Sequence, residues 1–330
     1  MTPEKIHDLA VKILSGQRRA LAKAITLIEN LRADMRPYAN QLVSSLLPHT
    51  GKALRIGVSG VPGAGKSTFI EALGLELIKK GHKVAVLAVD PSSKISGGSI
   101  LGDKVRMEGL SREANAFIRP SPSSGSLGGV TRRTRETMLL CEAGGYDVVL
   151  IETVGVGQSE VTVSEMVDFF LVLMLPGAGD EIQGIKKGII EMADALVVNK
   201  ADGDMQNAAD RAAHHYRNAL HLLRPKSPGW SPPVQKASAL TGLGIGKVWE
   251  TILKHRSWLE EDYRLERLRE KQMRMWFHAA LEQDLLDRLY GDPAVAERIP
   301  LLDGQMSRRE KSPHQAAEEI ISLFLESGPG

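Results

Sequence analysis

Between residues 60 and 68 the chain reads Gly60-Val61-Pro62-Gly63-Ala64-Gly65-Lys66-Ser67-Thr68. This is the phosphate-binding loop pattern: glycine, four residues, then Gly-Lys-Ser/Thr. Three glycines let the backbone curl around an anion at positive φ, with no Cβ in the way. The exposed amides of such a turn, and the positive end of the helix after it, point at phosphate oxygens. Lys66 adds a full charge at the β/γ-phosphates, and the Ser67 hydroxyl is a hard oxygen ligand for Mg²⁺. The flanks supply the required order. Leu54 to Ser59 is a short β-rich run, and Phe69 to Ile78 places apolar residues at helical spacing.

Far downstream, Asn199-Lys200-Ala201-Asp202 follows a predicted strand. The Asp202 carboxylate can accept two parallel hydrogen bonds, from the ring N–H and the exocyclic amine of guanine. Adenine offers neither, and a buried polar group left unpaired discriminates strongly. Asn199 is expected to bond the purine edge and its own loop, and the Lys200 stem to lie along the base. Ser238, Ala239 and Leu240 follow another strand, where the Ala239 N–H is expected to donate to the guanine carbonyl. These residues together with the phosphate loop predict GTP, not ATP, as the nucleotide.

Glu152-Thr153-Val154-Gly155 ends a further strand. A carboxylate there can hold Mg²⁺ through its water shell, and the Gly155 N–H can meet the γ-phosphate. Asp90 and Asp103 are further carboxylates on loops beside the site and join Ser67 and Glu152 as candidate metal ligands. Lys66, Asp103, Glu152 and Lys186 are the candidate catalytic residues. Small GTPases carry glutamine directly after the motif glycine; this chain has Val156.

Apolar strands alternate with helical segments from Leu54 to Ala237, which predicts an α/β fold with a mainly parallel sheet flanked by helices. Residues 1–50 read as a helical extension with a break at Gly16 and a turn near Pro37. Residues 51–256 read as the nucleotide domain, and 257–330 as a helical arm. Its seam of Leu265, Leu268, Met275, Trp276, Ala279, Leu286 and Leu289 suggests a helix–helix interface. Arg132, Arg133 and Arg135 are expected on a solvated helix face. With 42 Lys+Arg against 40 Asp+Glu among 330 residues, charge balance argues against nucleic acid as the partner. A single cysteine, Cys141, excludes a disulfide scaffold. The first residues lack a basic and apolar leader, and no apolar run reaches the ~18 residues of a membrane span. The expectation is a cytoplasmic protein with no membrane insertion.

The strings Ala88–Ser93, Gly97–Lys104, Phe117–Pro120, Glu152–Glu160 and Gln183–Gly188 resemble MeaB, the methylmalonyl-CoA mutase-associated GTPases. These are also described as lysine/arginine/ornithine transport-system ATPases or kinases, and they belong to the P-loop class of the signal recognition particle, MinD and BioD. The resemblance is specific over roughly residues 52–245. It implies a GTP-hydrolysing chaperone that binds adenosylcobalamin-dependent methylmalonyl-CoA mutase, gates cofactor loading and protects the enzyme. It also implies a homodimer through the C-terminal arm and a partner-responsive switch over 177–187. An accessory transport ATPase and a metallochaperone GTPase are the competing readings.

Overall fold

The computed structural model describes residues 2–30, 32–89, 107–120, 127–153, 158–177, 187–223 and 226–327. Asp90, Asp103, the glycine-rich segment 97–103, Gly155, Val156, Gln183 and Lys186 lie outside them. A short helix over Lys187–Glu191 is among the described residues.

Strands β1 (Leu54–Gly60), β2 (Val84–Val89), β3 (Ala116–Arg119), β4 (Val148–Thr153), β5 (Phe169–Met174), β6 (Ala195–Val198) and β7 (Val234–Lys236) form one sheet. Its order is β3-β2-β4-β1-β5-β6-β7, and every pairing is parallel. The near-continuous Val/Ile/Leu runs have their cause here, since both faces of a parallel sheet are covered. β1, β4, β5 and β6 are buried along their whole length, while β7 is a half-exposed edge. From β1 the chain first crosses toward β2 and β3, then returns through β4 and moves to β5, β6 and β7. That reversal puts a crevice at the carboxyl end of β1, where ligands bind in open α/β sheets.

The helices in chain order are α1 (Pro3–Leu14), α2 (Arg18–Glu29), α3 (Arg36–Leu46), α4 (Lys66–Lys79), α5 (Glu108–Arg112), α6 (Leu127–Ala143) and α7 (Gln158–Ser164). Then come α8 (Lys187–Glu191), α9 (Gln206–His221), α10 (Ile245–Glu260), α11 (Arg264–Gly291), α12 (Pro293–Ser307) and α13 (Pro313–Ser327). Phe69, Ile70, Leu73 and Leu77 of α4, with Val248, Trp249 and Ile252 of α10, form one core with the sheet. Gly57 lets another layer close in. A Cβ there would lie 2.8 Å from Phe170 and 3.0 Å from Val163 of α7.

The chain divides into two compact units, Met1–Gln272 and Met273–Gly330. The N-terminal helices belong to the first. α1, α2 and α3 pack on one another and on α6, burying Ile6, Ile13, Leu21, Ile25, Leu42 and Leu46. Leu14 is exposed, because it sits one residue and so about 100° past the buried Ile13. The turn expected near Pro37 is a short 3-10 turn over Ala33–Met35; Pro37 itself stands in the first turn of α3, where its missing N–H costs nothing.

The arginines of α6 also depart from expectation. Arg133 is only 8% exposed, and Arg132 bonds Glu136 at 2.9 Å and Asn40 at 3.2 Å. Burial lowers the Arg135 pKa to about 10. The N-terminal helices cover the face that charge alone assigned to solvent.

At the opposite end of the strands, the buried Asp168 carboxylate accepts from Arg55 N at 3.0 Å and from Arg269 Nε at 3.0 Å. Arg269 also donates to Ala53 O at 2.7 Å, and Gln272 to Val167 O at 2.8 Å. The first turns of α11 are thereby stitched to the starts of β1 and β5. The second unit has a small core of Val295, Leu302, Ala316 and Ile320 from α12 and α13, joined by Leu289. Asp292 caps α12 by accepting from Ala294 N at 2.9 Å. The expected seam is therefore spent partly within the chain, since Leu265 and Trp276 are buried and Leu289 packs on that core. A different stripe of α11 faces outward: Met273, Phe277, Leu281 and Leu285.

Candidate nucleotide site

β1 ends at Gly60 with φ +147°, and the loop continues through Gly63 at +79° and Gly65 at +82°. A Cβ at Gly60 would lie 2.3 Å from Leu173 O of β5, so only glycine fits. Pro62, Gly63 and Thr68 are exposed at the mouth of the loop, and Ala64 is buried beneath it. Gly65 then caps α4 in the left-handed conformation.

Lys66 turns back over the loop. Its Nζ donates to Gly60 O at 2.9 Å and to Val61 O at 3.3 Å. Burial pulls its pKa below the ordinary lysine value, and the charges of Glu152 and Glu160 partly restore it. Ser67 Oγ donates to Glu152 Oε1 at 2.8 Å, which brings the two sequence-predicted metal ligands among the described residues together. One position on, Thr153 Oγ1 donates to Ser59 Oγ at 2.9 Å and locks β4 to β1 just below the loop.

The second loop meets the first through one side chain. Asn199 is 1% exposed; its Nδ2 donates to Ala64 O at 2.8 Å, and its Oδ1 accepts from Ala239 N at 3.1 Å. The loop contacts expected of this amide are thus in place as a strut between the two loops, with the Ala239 N–H donating to it. Lys200 is exposed with φ +60°, and its Cε lies 3.9 Å from where a Gly65 Cβ would stand, so its stem runs over the phosphate loop. Asp202 is half-buried. Ser238 is buried and shapes the following turn, with Thr241 N donating to its Oγ at 3.2 Å, while Leu240 is 82% exposed beside it.

Sequence reasoning passed over Glu160, which it carried only as the last residue of the Glu152–Glu160 string. Glu160 is fully buried, and its charge acts on Lys66. Spacing of five past Gly155 gave no signal of that. Other reactive types are inert: Cys141 is buried with its thiol pKa pushed far up by burial, and His214 and His215 are exposed on α9.

A glycine-rich loop of the phosphate-binding pattern, tied by one amide to the Asn199–Asp202 loop, is the arrangement of a P-loop GTPase. The chain belongs to the MeaB family, described as methylmalonyl Co-A mutase-associated GTPase, whose profile matches residues 21–294. A Caulobacter vibrioides protein described as a GTPase is 55% identical over 97% of this chain and 98% of its own length. The methylmalonic aciduria type A homolog, mitochondrial, of Mus musculus is 47% identical over 97% of this chain and 79% of its own. Among solved structures, a LAO/AO transport system kinase superposes with a TM-score of 0.77 at 38% identity, covering 98% of this chain and 99% of that one. The chain is accordingly a guanine-nucleotide-binding GTPase.

Proposed function

We propose that this protein is a GTP-hydrolysing chaperone of an adenosylcobalamin-dependent methylmalonyl-CoA mutase, which gates cofactor loading and protects the loaded enzyme. The observation that carries the nucleotide half is the Asn199 strut, which binds the phosphate loop to the Asn199–Asp202 loop. The partner half is supported by the family description and by the naming of the murine relative for methylmalonic aciduria.

Mg²⁺ belongs to the same reading. A serine hydroxyl and a carboxylate 2.8 Å apart at the loop are hard oxygen donors and fit that ion. Ser67 and Glu152 would hold it, with Asp90 and Asp103 as further ligands from neighbouring loops. When bound, Mg²⁺ neutralises charge on the phosphate oxygens. Lys66 holds the β/γ-phosphates, the Gly63 and Gly65 turn presents amides, Gly155 meets the γ-phosphate, and Asp202 reads guanine. Lys186 supplies charge when a partner draws its segment inward.

The exposed Met273, Phe277, Leu281 and Leu285 stripe supports a homodimer through the arm. A cytoplasmic location fits this partner, and among the described residues no helix is long and apolar enough to cross a membrane. The test is a pull-down with the tagged full chain from cells expressing candidate partners, against a tag-only control. Recovery of a cobalamin-dependent mutase, enriched with a non-hydrolysable GTP analogue, is the expected result. Recovery of a permease component without the mutase would overturn the reading.

A further inference from the structure

α7 packs across β1 and β4, and Val163 fills the space over Gly57. Glu160 is three residues earlier on the same face of that helix, about 4.5 Å along its axis. A crossover helix returns antiparallel to its strands, so the earlier turn lies nearer their carboxyl ends, where β1 becomes the phosphate loop. Glu160 is 0% exposed, and neither of its carboxylate oxygens has a hydrogen-bond donor among the described residues. Its charge acts on the Lys66 ammonium.

A buried carboxylate without a donor is strongly disfavoured, and a triphosphate in the neighbouring loop would repel it further. One small dipole between them relieves both: a water that donates to the carboxylate and turns its lone pair toward the γ-phosphorus. We propose that Glu160 holds the attacking water of GTP hydrolysis. Small GTPases give this task to the glutamine after the motif glycine, where this chain has Val156, whose side chain can neither donate nor accept. In the step, the water oxygen bonds to the γ-phosphorus as the bond from that phosphorus to the bridging oxygen breaks. GDP leaves with the electron pair, and the water's proton ends on the released phosphate. Glu160 acts as the acceptor that fixes the water's orientation.

The inference rests on Gly60–Thr68 being the triphosphate site, and the experiment separates the two. Single-turnover GTP hydrolysis by the full chain is expected to fall about 100-fold in Glu160→Leu, which is near in size but cannot accept. Glu160→Gln keeps an acceptor and stays within about tenfold of wild type. Both variants bind a fluorescent GTP as tightly as wild type or tighter, because a negative charge beside the phosphates is gone. Their Mg²⁺ requirement for binding is unchanged, and their Tm is equal or higher, because a buried carboxylate with no hydrogen-bond donor among the described residues has been removed. Hydrolysis by Glu160→Leu within about threefold of wild type overturns the proposal. So does weaker GTP binding with a raised Mg²⁺ requirement, which makes Glu160 a holder of the metal's water. A lowered Tm in Glu160→Gln makes it structural and overturns it as well. Lys66→Ala tests the site itself: if GTP binding survives that change, the reading of the loop fails, whatever Glu160 does.

Discussion

Asn199 donates to Ala64 O and accepts from Ala239 N, so each end of its amide is anchored inside the protein. Asp202, proposed to read guanine, is half-buried, and the two oxygens of a carboxylate match the donor pair of that base. We predict that Asp202→Asn weakens GTP by about 100-fold and strengthens xanthosine triphosphate, whose ring carries a carbonyl where guanine has its amine. Calorimetric titration decides this, and unchanged GTP affinity would sink the assignment. The sequence displayed Asp202 through its motif, but not the strut, because which partner an amide takes depends on loops brought together over long range. A second residue-scale consequence lies at the base of the sheet. His255 is buried against Phe169, Trp230 and Trp258, with Asp194 Oδ1 3.8 Å from its Nε2. That distance is too long for a hydrogen bond, and burial wins over the attraction of Asp194: the His255 pKa is pushed down to about 4. The unfolded chain therefore binds a proton near pH 6.5 that the folded chain refuses until about pH 4. Stability from this residue is intact above pH 6.5 and is lost as pH falls through that window, by about 2 kcal/mol at pH 5. Urea titrations at pH 7 and pH 5 should show this loss in wild type and not in His255→Leu. Parallel losses in both would assign the acid sensitivity to other groups.

Elements were legible in proportion to how local their causes are. The run at 84–89 is apolar throughout and the run at 116–119 is apolar up to Arg119, and the structure places strands over those same residues. Parallel pairing followed from the same runs. Coverage did not, because a pattern states that a face is apolar without naming what lands on it. Arg133 looked solvated until the N-terminal helices came down on α6. α11 misled for the same reason. Its charges flank more than one apolar row, and the row with Leu265 and Leu289 is used at home. Outward on α11 are Leu286 of the expected seam, Tyr290, and a stripe of Met273, Phe277, Leu281 and Leu285, each four residues from the next. Phe277 is 63% exposed, and a contiguous apolar stripe of this kind marks an interaction surface. We predict that Phe277→Glu combined with Leu281→Glu gives a monomer by light scattering, with Tm little changed because neither side chain supports a core. A double variant that remains dimeric places the interface elsewhere. Truncation at Arg256 would confuse the result, because it also removes Arg269 and Gln272, which hold β1 and β5.

For the molecule as a whole, the arrangement of charges argues for a GTPase that waits for a partner. Lys66, the loop amides and the Ser67–Glu152 pair are in place for binding. Binding needs little beyond these, whereas phosphoryl transfer depends on positioning the water and stabilising charge as the bond to GDP breaks. Lys66 spends its donors on Gly60 and Val61, and Lys200 lies exposed over the loop. We propose that further charge comes from the segment between β5 and α8, which carries Lys186 in the sequence. β5 also starts at the Asp168–Arg269 tie, so the same strand connects the arm at one end to this segment at the other. A protein docked against that segment can therefore complete the site. We predict firm GTP binding with intrinsic turnover of ~10⁻⁴–10⁻² s⁻¹, against roughly 1–100 s⁻¹ for efficient phosphoryl-transfer enzymes. Addition of the mutase should raise that rate, and Lys186→Ala should lose most of the rise while keeping GTP affinity. Single-turnover hydrolysis with and without the mutase measures both. Fast turnover by the isolated protein refutes the waiting state. Equal acceleration of wild type and Lys186→Ala removes Lys186 from the mechanism, and leaves the added charge to be supplied by the partner itself.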